Sequence, residues 1–344
     1  MHHNPAKNVL HVKRTLAELA AQSGVSEESL RPLRDSARAK LLAVRMLRPT
    51  PFVDRTLYTG WNAMAVTAYL ETARVLRLGS AREFALRTLN RLLNEAWDGD
   101  STLNHVIAYP DGATARENAP GTLDDYAFTV NACIDAWFAS GNMNLYLVAR
   151  KLADAMIARF HDAAGGGFFD TAPAQDGQPG ATPLGALAAR RKPLQDSPTP
   201  AGNPTAATAL LRLEALSGRK EYRDAAEDTL ACFGGIVEHF GLYAGSYGLA
   251  AERLLLDPVQ VVIVGSGPEA ERLEDLAMAR FAVNKTVMRI EPSRLVPGGI
   301  PEALAETLLQ VPAPAGAEAW ALVCRGRTCL PPITDGEALL KALE

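Results

Sequence analysis

The feature that most constrains the fold of this chain is a corner that occurs three times between two helical segments. At each corner a helical pattern ends in a turn with a glycine, and an aromatic residue follows that glycine by four or five positions. The turns are Leu78-Gly79-Ser80, Ser140-Gly141-Asn142 and Ser217-Gly218-Arg219, and the aromatic residues are Phe84, Tyr146 and Tyr222. Glycine fits the left-handed conformation that ends a helix, and the ring can cover the corner. The glycines lie 62 and 77 residues apart, which predicts stacked helical hairpins.

The sequence pattern divides the chain into three predicted parts. Residues 1–50 form an N-terminal helical arm, in which Ser26 and the acids after it predict a helix over 26–47. Residues 51–257 form the hairpins, and the stripe that starts at Trp61 has helical spacing. Residues 258–344 form a small α/β tail, with strands over 259–264, 286–290 and 319–324 and helices over 268–281 and 335–343. Two long polar stretches, 97–122 and 162–203, are predicted to be functional or disordered loops, and 172–189 to be a mobile part of the second.

Composition excludes several classes of protein. The 35 basic and 39 acidic residues give a formal net charge of −4, which argues against a nucleic-acid partner. No apolar run approaches the ~20 residues that cross a bilayer, and the first residues have no signal-peptide pattern, so we expect no membrane partner and a cytoplasmic location. No motif predicts a metal, and we expect no cofactor.

The candidate functional residues lie just before, or in the first turn of, the first helix of each hairpin. In a ring of hairpins these inner helices run parallel, so their N-termini meet at one mouth. The predicted catalytic carboxylates are Asp54, Asp125 and Asp196; the predicted substrate-binding residues are the stacking rings Trp61 and Tyr126, with Asn62, Asp124 and Asn203. Carboxylates that act as acid and base, beside rings that stack on a sugar, are typical of a carbohydrate site.

Each of these residues also has a structural interpretation. Asp124 and Asp125 can stabilise a helix N-terminus, with Thr122 as its cap. Asn203 before Pro204 is the expected pair of a cap and a first helical residue, and Trp61 lies on an apolar stripe and can belong to the core.

Two patterns in the tail allow further interpretations. The dinucleotide-binding pattern between a strand and a helix is matched by Gly265, Gly267 and Ala270, and the next strand ends at Glu291. Dinucleotide binding is a minor alternative, because the tail is too short for a full doubly wound domain. Cys324 and Cys329 flank a predicted hairpin tip, where they can form a disulfide or half a metal site. Free thiols are the default expectation in a reducing cytoplasm.

Several motifs of the chain resemble the C-terminal part of the YyaL-like, thioredoxin-domain-containing proteins, which include a spermatogenesis-associated member in animals. The motifs are Lys7-Asn8-Val9-Leu10-His11, Thr59-Gly60-Trp61-Asn62, Leu123-Asp124-Asp125-Tyr126-Ala127, Gly165-Gly166-Gly167-Phe168-Phe169-Asp170-Thr171, Pro200-Ala201-Gly202-Asn203, Val261-Val262-Ile263-Val264-Gly265 and residues 324–331. Arg55 and Ala201 stand where the family usually has Lys and Ser. The resemblance implies a six-hairpin (α/α) toroid, similar to N-acylglucosamine 2-epimerases and glycoside hydrolases, followed by the small tail.

Two functions from different classes are consistent with this resemblance. The favoured one is a carbohydrate-active or sugar-binding toroid of glycoside-hydrolase or epimerase type; the alternative is a non-catalytic scaffold for a thioredoxin-like partner. A closed toroid needs about twelve helices, whereas we count seven between Trp61 and Asp257 and eight with 26–47. We therefore expect an incomplete toroid with exposed apolar edges, the C-terminal half of a split or truncated protein. It would self-associate or pair with a chain that carries the thioredoxin-like domain and the first hairpins.

Overall fold

The structure is a computed structural model, and it describes residues 11–109, 117–173, 189–326 and 328–344. Residues 7–10 of the first family motif and most of the predicted mobile stretch lie outside this part of the chain. The chain divides into two compact units, residues 1–54 and 55–344, and each is described by itself. The hairpins and the tail share the second unit.

The N-terminal unit contains two helices, α1 (Leu16–Ser23) and α2 (Glu27–Met46). The helix predicted over 26–47 is confirmed, with Ser26 as its N-cap. Helix α1 was not predicted; Thr15 and Glu18 form a capping box at its start.

Seven α-helices build the hairpin part of the second unit. They are α3 (Thr59–Leu76), α4 (Gly79–Ala96), α5 (Leu123–Ser140), α6 (Met143–Phe160), α7 (Gly202–Ser217), α8 (Lys220–Phe233) and α9 (Gly245–Leu255). Helices α3–α4, α5–α6 and α7–α8 are the three predicted hairpins, and α3 packs on α5, α5 on α7 and α7 on α9. Among the described residues the count of seven is confirmed, and the fold is mainly α, of the (α/α)-hairpin kind. No described helix is long and apolar enough to span a membrane.

The predicted corners are right in two cases and wrong in detail in one. Gly141 (φ 63°) and Gly218 (φ 72°) end α5 and α7 in the left-handed conformation. At the first corner Arg77 takes the left-handed conformation (φ 54°), and Gly79 is instead the first residue of α4. Tyr146 and Tyr222 are fully buried, whereas Phe84 is 46% exposed.

A small antiparallel sheet lies in the first long loop, where no strand was predicted. Its strands are β1 (Leu57–Tyr58), β2 (Asn104–Ala108) and β3 (Glu117–Pro120), in that order. The sheet is anchored at the start of α3, because the hydroxyl of Thr59 donates a hydrogen bond to the carbonyl of Asn104. It thereby brings β2 close to the N-terminal ends of the inner helices.

The tail is the predicted small α/β segment. It contains β4 (Val259–Gly265), α10 (Pro268–Ala279), β5 (Lys285–Ile290), α11 (Glu302–Leu308), β6 (Ala319–Arg325), β7 (Thr328–Cys329) and α12 (Gly336–Ala342). The sheet order is β5-β4-β6-β7, with β4 and β5 parallel and the other pairs antiparallel. One face of the sheet, including Val262 and Leu322, belongs to the hairpin core, and the opposite face packs with α10 and α12. Its side chains therefore alternate between two apolar environments.

The default expectation for Cys324 and Cys329 is wrong, because the two residues form a disulfide. They lie directly opposite each other in the β6–β7 hairpin. Cross-strand neighbours are close enough for their sulfur atoms to bond, which is the first of the alternatives that the sequence left open.

Candidate functional site

The N-terminal ends of the inner helices meet, as the sequence predicts, and carboxylates join them in pairs. Asp125 in the first turn of α5 accepts a hydrogen bond from the backbone of Gly60 at the start of α3. Asp196 accepts hydrogen bonds from the backbone of Ala201, the N-cap of α7, and from Ser246 at the start of α9. The positive ends of helix dipoles favour carboxylates at such positions. The mouth is therefore built around Asp125 and Asp196.

Asp125 has a structural role that fills both of its oxygens. The side chain is 1% exposed. Oδ1 accepts from Gly60 N at 2.9 Å, and Oδ2 accepts from Thr122 N at 2.8 Å and from Thr122 Oγ1 at 2.9 Å. Oδ2 also lies 2.8 Å from Nδ1 of His105. The capping interpretation therefore describes Asp125, and a free catalytic carboxylate is not what the geometry provides at this position.

His105, on strand β2, is the site residue that sequence reasoning missed. Its hydrogen bond with Asp125 raises the pKa of the imidazole above its usual value, against the opposing effect of burial. The side chain remains 40% exposed. Because the buried carboxylate accepts the proton of Nδ1, Nε2 in the neutral ring is an acceptor. The available signal was a lone histidine in a long loop before the Thr122-to-Asp125 motif.

Asp124 differs from its neighbour in having no hydrogen bond or ion pair with any residue that the structure describes. Burial and the charges of Asp125 and Asp170 raise its pKa to about 6, and the charge of His105 acts in the opposite direction. The carboxyl packs against α7, where a Cβ at Gly202 would lie 2.2 Å from its Oδ1. A half-buried carboxyl whose pKa lies near neutrality is suited to proton transfer.

The prediction that Trp61 belongs to the core is wrong, because its side chain is 63% exposed. Its ring centroid lies 4.8 Å from that of Tyr58, and the Tyr58 ring lies 6.1 Å from that of His105. Asn62, which is half-buried, donates to the carbonyl of Tyr58 and so holds the first turn of α3. An exposed indole beside a histidine and a tyrosine is suited to stacking on a flat ligand.

Two predicted substrate-binding residues are corrected by the structure, because both are fully buried. Tyr126 donates from its hydroxyl to the carbonyl of Ser101 and accepts from the backbone of Leu103, so its ring cannot stack on a sugar. Asn203 accepts from the backbone of Phe168 at 2.6 Å and donates to the carbonyls of Phe168 and Pro193. These side chains hold the loops at the mouth rather than a ligand.

Asp196, another predicted catalytic carboxylate, is not a free carboxylate in the structure. The oxygens of Asp196 are occupied by the start of α7 and α9, which gives Asp196 the same helix-joining role as Asp125. Asp54 is the last residue of the N-terminal unit, and its catalytic role stays a prediction.

The dinucleotide-binding pattern has a structural explanation in the tail. A Cβ at Gly265 would lie 2.6 Å from the Cβ of Ala319 on the neighbouring strand, so a glycine is required there by packing. The first turn of α10 carries Glu269 and Glu271, whose charges oppose a phosphate at that helix N-terminus. The described sheet contains one parallel strand pair joined by a helix, not a doubly wound sheet.

Comparison with known proteins gives relatives of the kind that the motifs predict. Human spermatogenesis-associated protein 20 is 29% identical over 348 residues, which are 98% of this chain and 42% of that protein. The mouse protein of the same name is 29% identical over 231 residues, 66% of this chain and 28% of that protein. The chain thus spans less than half the length of these curated relatives. No family model matches the chain.

Solved structures of sugar-acting proteins are similar to part of the chain. Cellobiose 2-epimerase from Bacillus thermoamylovorans has a TM-score of 0.41 and 13% identity, over 52% of this chain and 45% of that one. Unsaturated glucuronyl hydrolase from Bacillus sp. GL1 has a TM-score of 0.43 and 14% identity, over 60% and 62% of the two chains. The resemblance predicted from the motifs is confirmed at the level of sequence: along nearly its whole length, this chain is similar to spermatogenesis-associated protein 20.

Proposed function

We propose that the mouth at the N-terminal ends of α3, α5 and α7 binds a carbohydrate and catalyses acid/base chemistry on it. Asp124 is the general acid and His105 is the general base. The observation that carries this proposal is the contrast between two adjacent carboxyls. The oxygens of Asp125 make four hydrogen-bonding contacts. Asp124 makes none in the described part of the chain, and its pKa is about 6.

The proposed roles use the state in which Asp124 is protonated and His105 is neutral, which a fraction of the molecules adopts near pH 7. A carboxyl whose pKa is about 6 retains a fraction of its protons near pH 7 and can donate one to a sugar oxygen. Asp125 fixes the ring of His105 through Nδ1, which leaves Nε2 to accept a proton from a sugar carbon or from water. The exposed ring of Trp61 supplies a stacking surface beside them. Removal of a proton from a carbon next to the sugar carbonyl, followed by its return on the opposite face, would be epimerisation. Attack of the activated water at the anomeric carbon, with cleavage of the glycosidic C–O bond and protonation of the departing oxygen by Asp124, would be glycoside hydrolysis.

The test is a screen of mono- and disaccharides with the purified chain in D₂O. Incorporation of deuterium at a sugar carbon, followed by NMR, reports epimerase-type exchange, and the appearance of reducing ends reports hydrolysis. Asp124→Asn and His105→Gln should each lower the rate at least 100-fold. Asp224→Asn is the matched control, because this aspartate is exposed on α8 and pairs with Lys220. Wild-type protein that neither binds nor converts any sugar would contradict the proposal.

Binding is tested separately through the aromatic surface. Trp61→Ala should weaken sugar binding at least tenfold, because it removes the exposed ring at the mouth. Phe84→Ala is the control: this ring is also exposed, at the opposite end of the first hairpin, where it packs on Tyr69. Equal effects of the two substitutions would argue against a site at the mouth.

A second candidate function, an interaction scaffold, is supported by exposed apolar side chains on the first and last inner helices. Val75 and Leu76 of α3 are 58% and 61% exposed, and Leu249 and Leu255 of α9 are 55% and 79% exposed. Such side chains would be covered by self-association or by a partner chain. Light scattering on the purified chain tests this function: a monomer at all concentrations would exclude self-association, and co-purification would then have to identify a partner.

A further inference from the structure

A cavity of about 1000 Å³ lies at the other end of the inner helices, far along them from the mouth. It is lined by the C-terminal halves of α3 and α5, by the start of α4, by α7, α9, α10 and β5, and by residues between 291 and 300. All of its walls belong to the second unit. The volume is at the upper end of the range for small-molecule sites.

The walls of this cavity carry eight basic and six acidic side chains. Four of the basic side chains are paired with carboxylates: Arg74 with Glu71, Arg77 with Glu274 and Asp275, Arg212 with Asp135, and Arg289 with Glu271 and Glu274. These pairs account for five of the six acids. Glu291 is the acid left without a basic partner in the described ranges.

The other four basic side chains donate only to backbone carbonyls. Arg82 and Arg294 bind carbonyls at the C-terminal end of α5, and Lys285 binds the carbonyl of Ala277 in α10. Arg253 donates to the carbonyl of Val283 at 3.2 Å. None of the four lies within 4.0 Å of a carboxylate that the structure describes. Carbonyl dipoles offset only part of a positive charge, so the cavity wall has an excess of uncompensated cations.

Arg253, in the last turn of α9, is the cation of this group on which burial acts most strongly. Burial and the adjacent positive charge of Arg212 lower the pKa of Arg253 to about 10. A half-buried cation without a carboxylate partner costs free energy that a bound anion would recover. The same wall includes the rings of Trp137 and Phe138, and Arg212 lies over the ring of Phe138. The cavity therefore offers charge for an anion and apolar surface for an organic group.

We propose that this cavity binds a small organic phosphate, with Arg253 as its principal anion ligand and Arg82, Lys285 and Arg294 around it. A phosphate is the anion that a guanidinium binds with two parallel hydrogen bonds, and several cations in one wall suit its double charge. The aromatic side chains of the wall would contact the organic part. The site is separate from the mouth and does not depend on the function proposed there.

The experiment is calorimetric titration of the full chain with phenyl phosphate and with inorganic pyrophosphate at fixed ionic strength. Both should bind saturably, and Arg253→Gln should weaken binding at least tenfold. Arg82→Gln is a change at an exposed position and should weaken phosphate binding severalfold. This variant tests the proposal if the Arg253→Gln protein does not fold. Arg223→Gln is the matched control, because Arg223 also donates to a backbone carbonyl near the end of α9 but lies outside the cavity wall.

The outcomes separate this proposal from that for the mouth. Asp124→Asn should leave phosphate binding unchanged. Absence of saturable binding, or equal weakening by Arg223→Gln and Arg253→Gln, would overturn the proposal. Binding of benzoate as tight as that of phenyl phosphate would overturn the assignment of a phosphate.

Discussion

Replacing Asp124 by asparagine should stabilise the protein, whereas the same change at the adjacent Asp125 should destabilise it. The folded state raises the pKa of Asp124 from 3.8 to about 6. Its ionised form is therefore disfavoured by folding, and wild-type stability falls as pH rises through this interval. A shift of this size corresponds to about 3 kcal/mol when the group is fully ionised. Because the asparagine amide is also partly desolvated, we expect a net gain of about 1–2 kcal/mol at pH 8.

For Asp125 the hydrogen bonds work in the opposite direction. An asparagine can keep the contact with Gly60 through its carbonyl oxygen, but its NH₂ group then faces the donors of Thr122 and His105. Leaving buried donors unsatisfied costs about 1–3 kcal/mol each, and the bonds lost are to a charged acceptor. We expect a loss of about 3 kcal/mol or more, a large part of the ~5–15 kcal/mol that stabilises a typical domain.

Urea unfolding followed by circular dichroism measures both changes, at pH 8 and at pH 4. The gain of Asp124→Asn should be present at pH 8 and absent near pH 4, where the wild-type carboxyl is protonated in the folded state. Asp224→Asn, at an exposed ion pair, should change stability by less than about 0.5 kcal/mol at either pH. If Asp124→Asn destabilises the protein at pH 8, or its gain does not depend on pH, Asp124 has a stabilising partner and the reasoning is refuted.

Three further measurements address other features. In an NMR titration His105 should have a pKa above 6.5, and Asp125→Asn should lower that pKa. The stabilisation that the protonated His105 gains from Asp125 is therefore present at low pH and is lost as pH rises through the raised pKa. An unchanged pKa in the variant would contradict the pairing. Gly202→Ala should cost at least about 2 kcal/mol in urea unfolding because the new methyl group would overlap neighbouring side chains, whereas Gly79→Ala, with open space around it, should cost nothing. Reducing the β6–β7 disulfide should lower the free energy of unfolding by about 2 kcal/mol, since the disulfide closes a short loop. A loss above about 4 kcal/mol would mean that the disulfide stabilises more of the structure than the β6–β7 hairpin.

The helices and the tail could be predicted from the sequence because their signals are local. Periodicity and caps sufficed for α2, for the three hairpins and for strand β4, and the left-handed glycines Gly141 and Gly218 ended two helices where expected. The first corner differs because Arg77 takes the left-handed conformation that was assigned to Gly79. The sheet β1-β2-β3 was missed, since its strands are short and β1 pairs with β2 across about 50 residues.

The meeting of the helix N-termini at the mouth could be predicted from the sequence, but the contacts of each side chain there could not. The sequence indicates which residues surround the mouth, yet the roles depend on burial, which is a property of the assembled fold. Tyr126 and Trp61 are both aromatic residues near a helix start, and only packing makes the first fully buried and the second 63% exposed. Asp124 and Asp125 are identical in chemistry and adjacent in sequence, and the loop conformation at Thr122 decides which of them is occupied.

The inner helices are held at both ends by side-chain hydrogen bonds, and this has a consequence for how the protein unfolds. Carboxylates join neighbouring helices at the mouth, while hydrogen bonds link the other ends to the tail. Arg294 donates to the end of α5, Gln260 donates to Ala215 of α7, and Arg74 of α3 donates to Val287 of β5. An array in which each helix pair contacts only its neighbours can lose members one at a time from an end. Here the tail spans three of them, so fraying of a single hairpin is coupled to the release of the sheet. We therefore expect the hairpins and residues 258–344 to unfold as one cooperative unit.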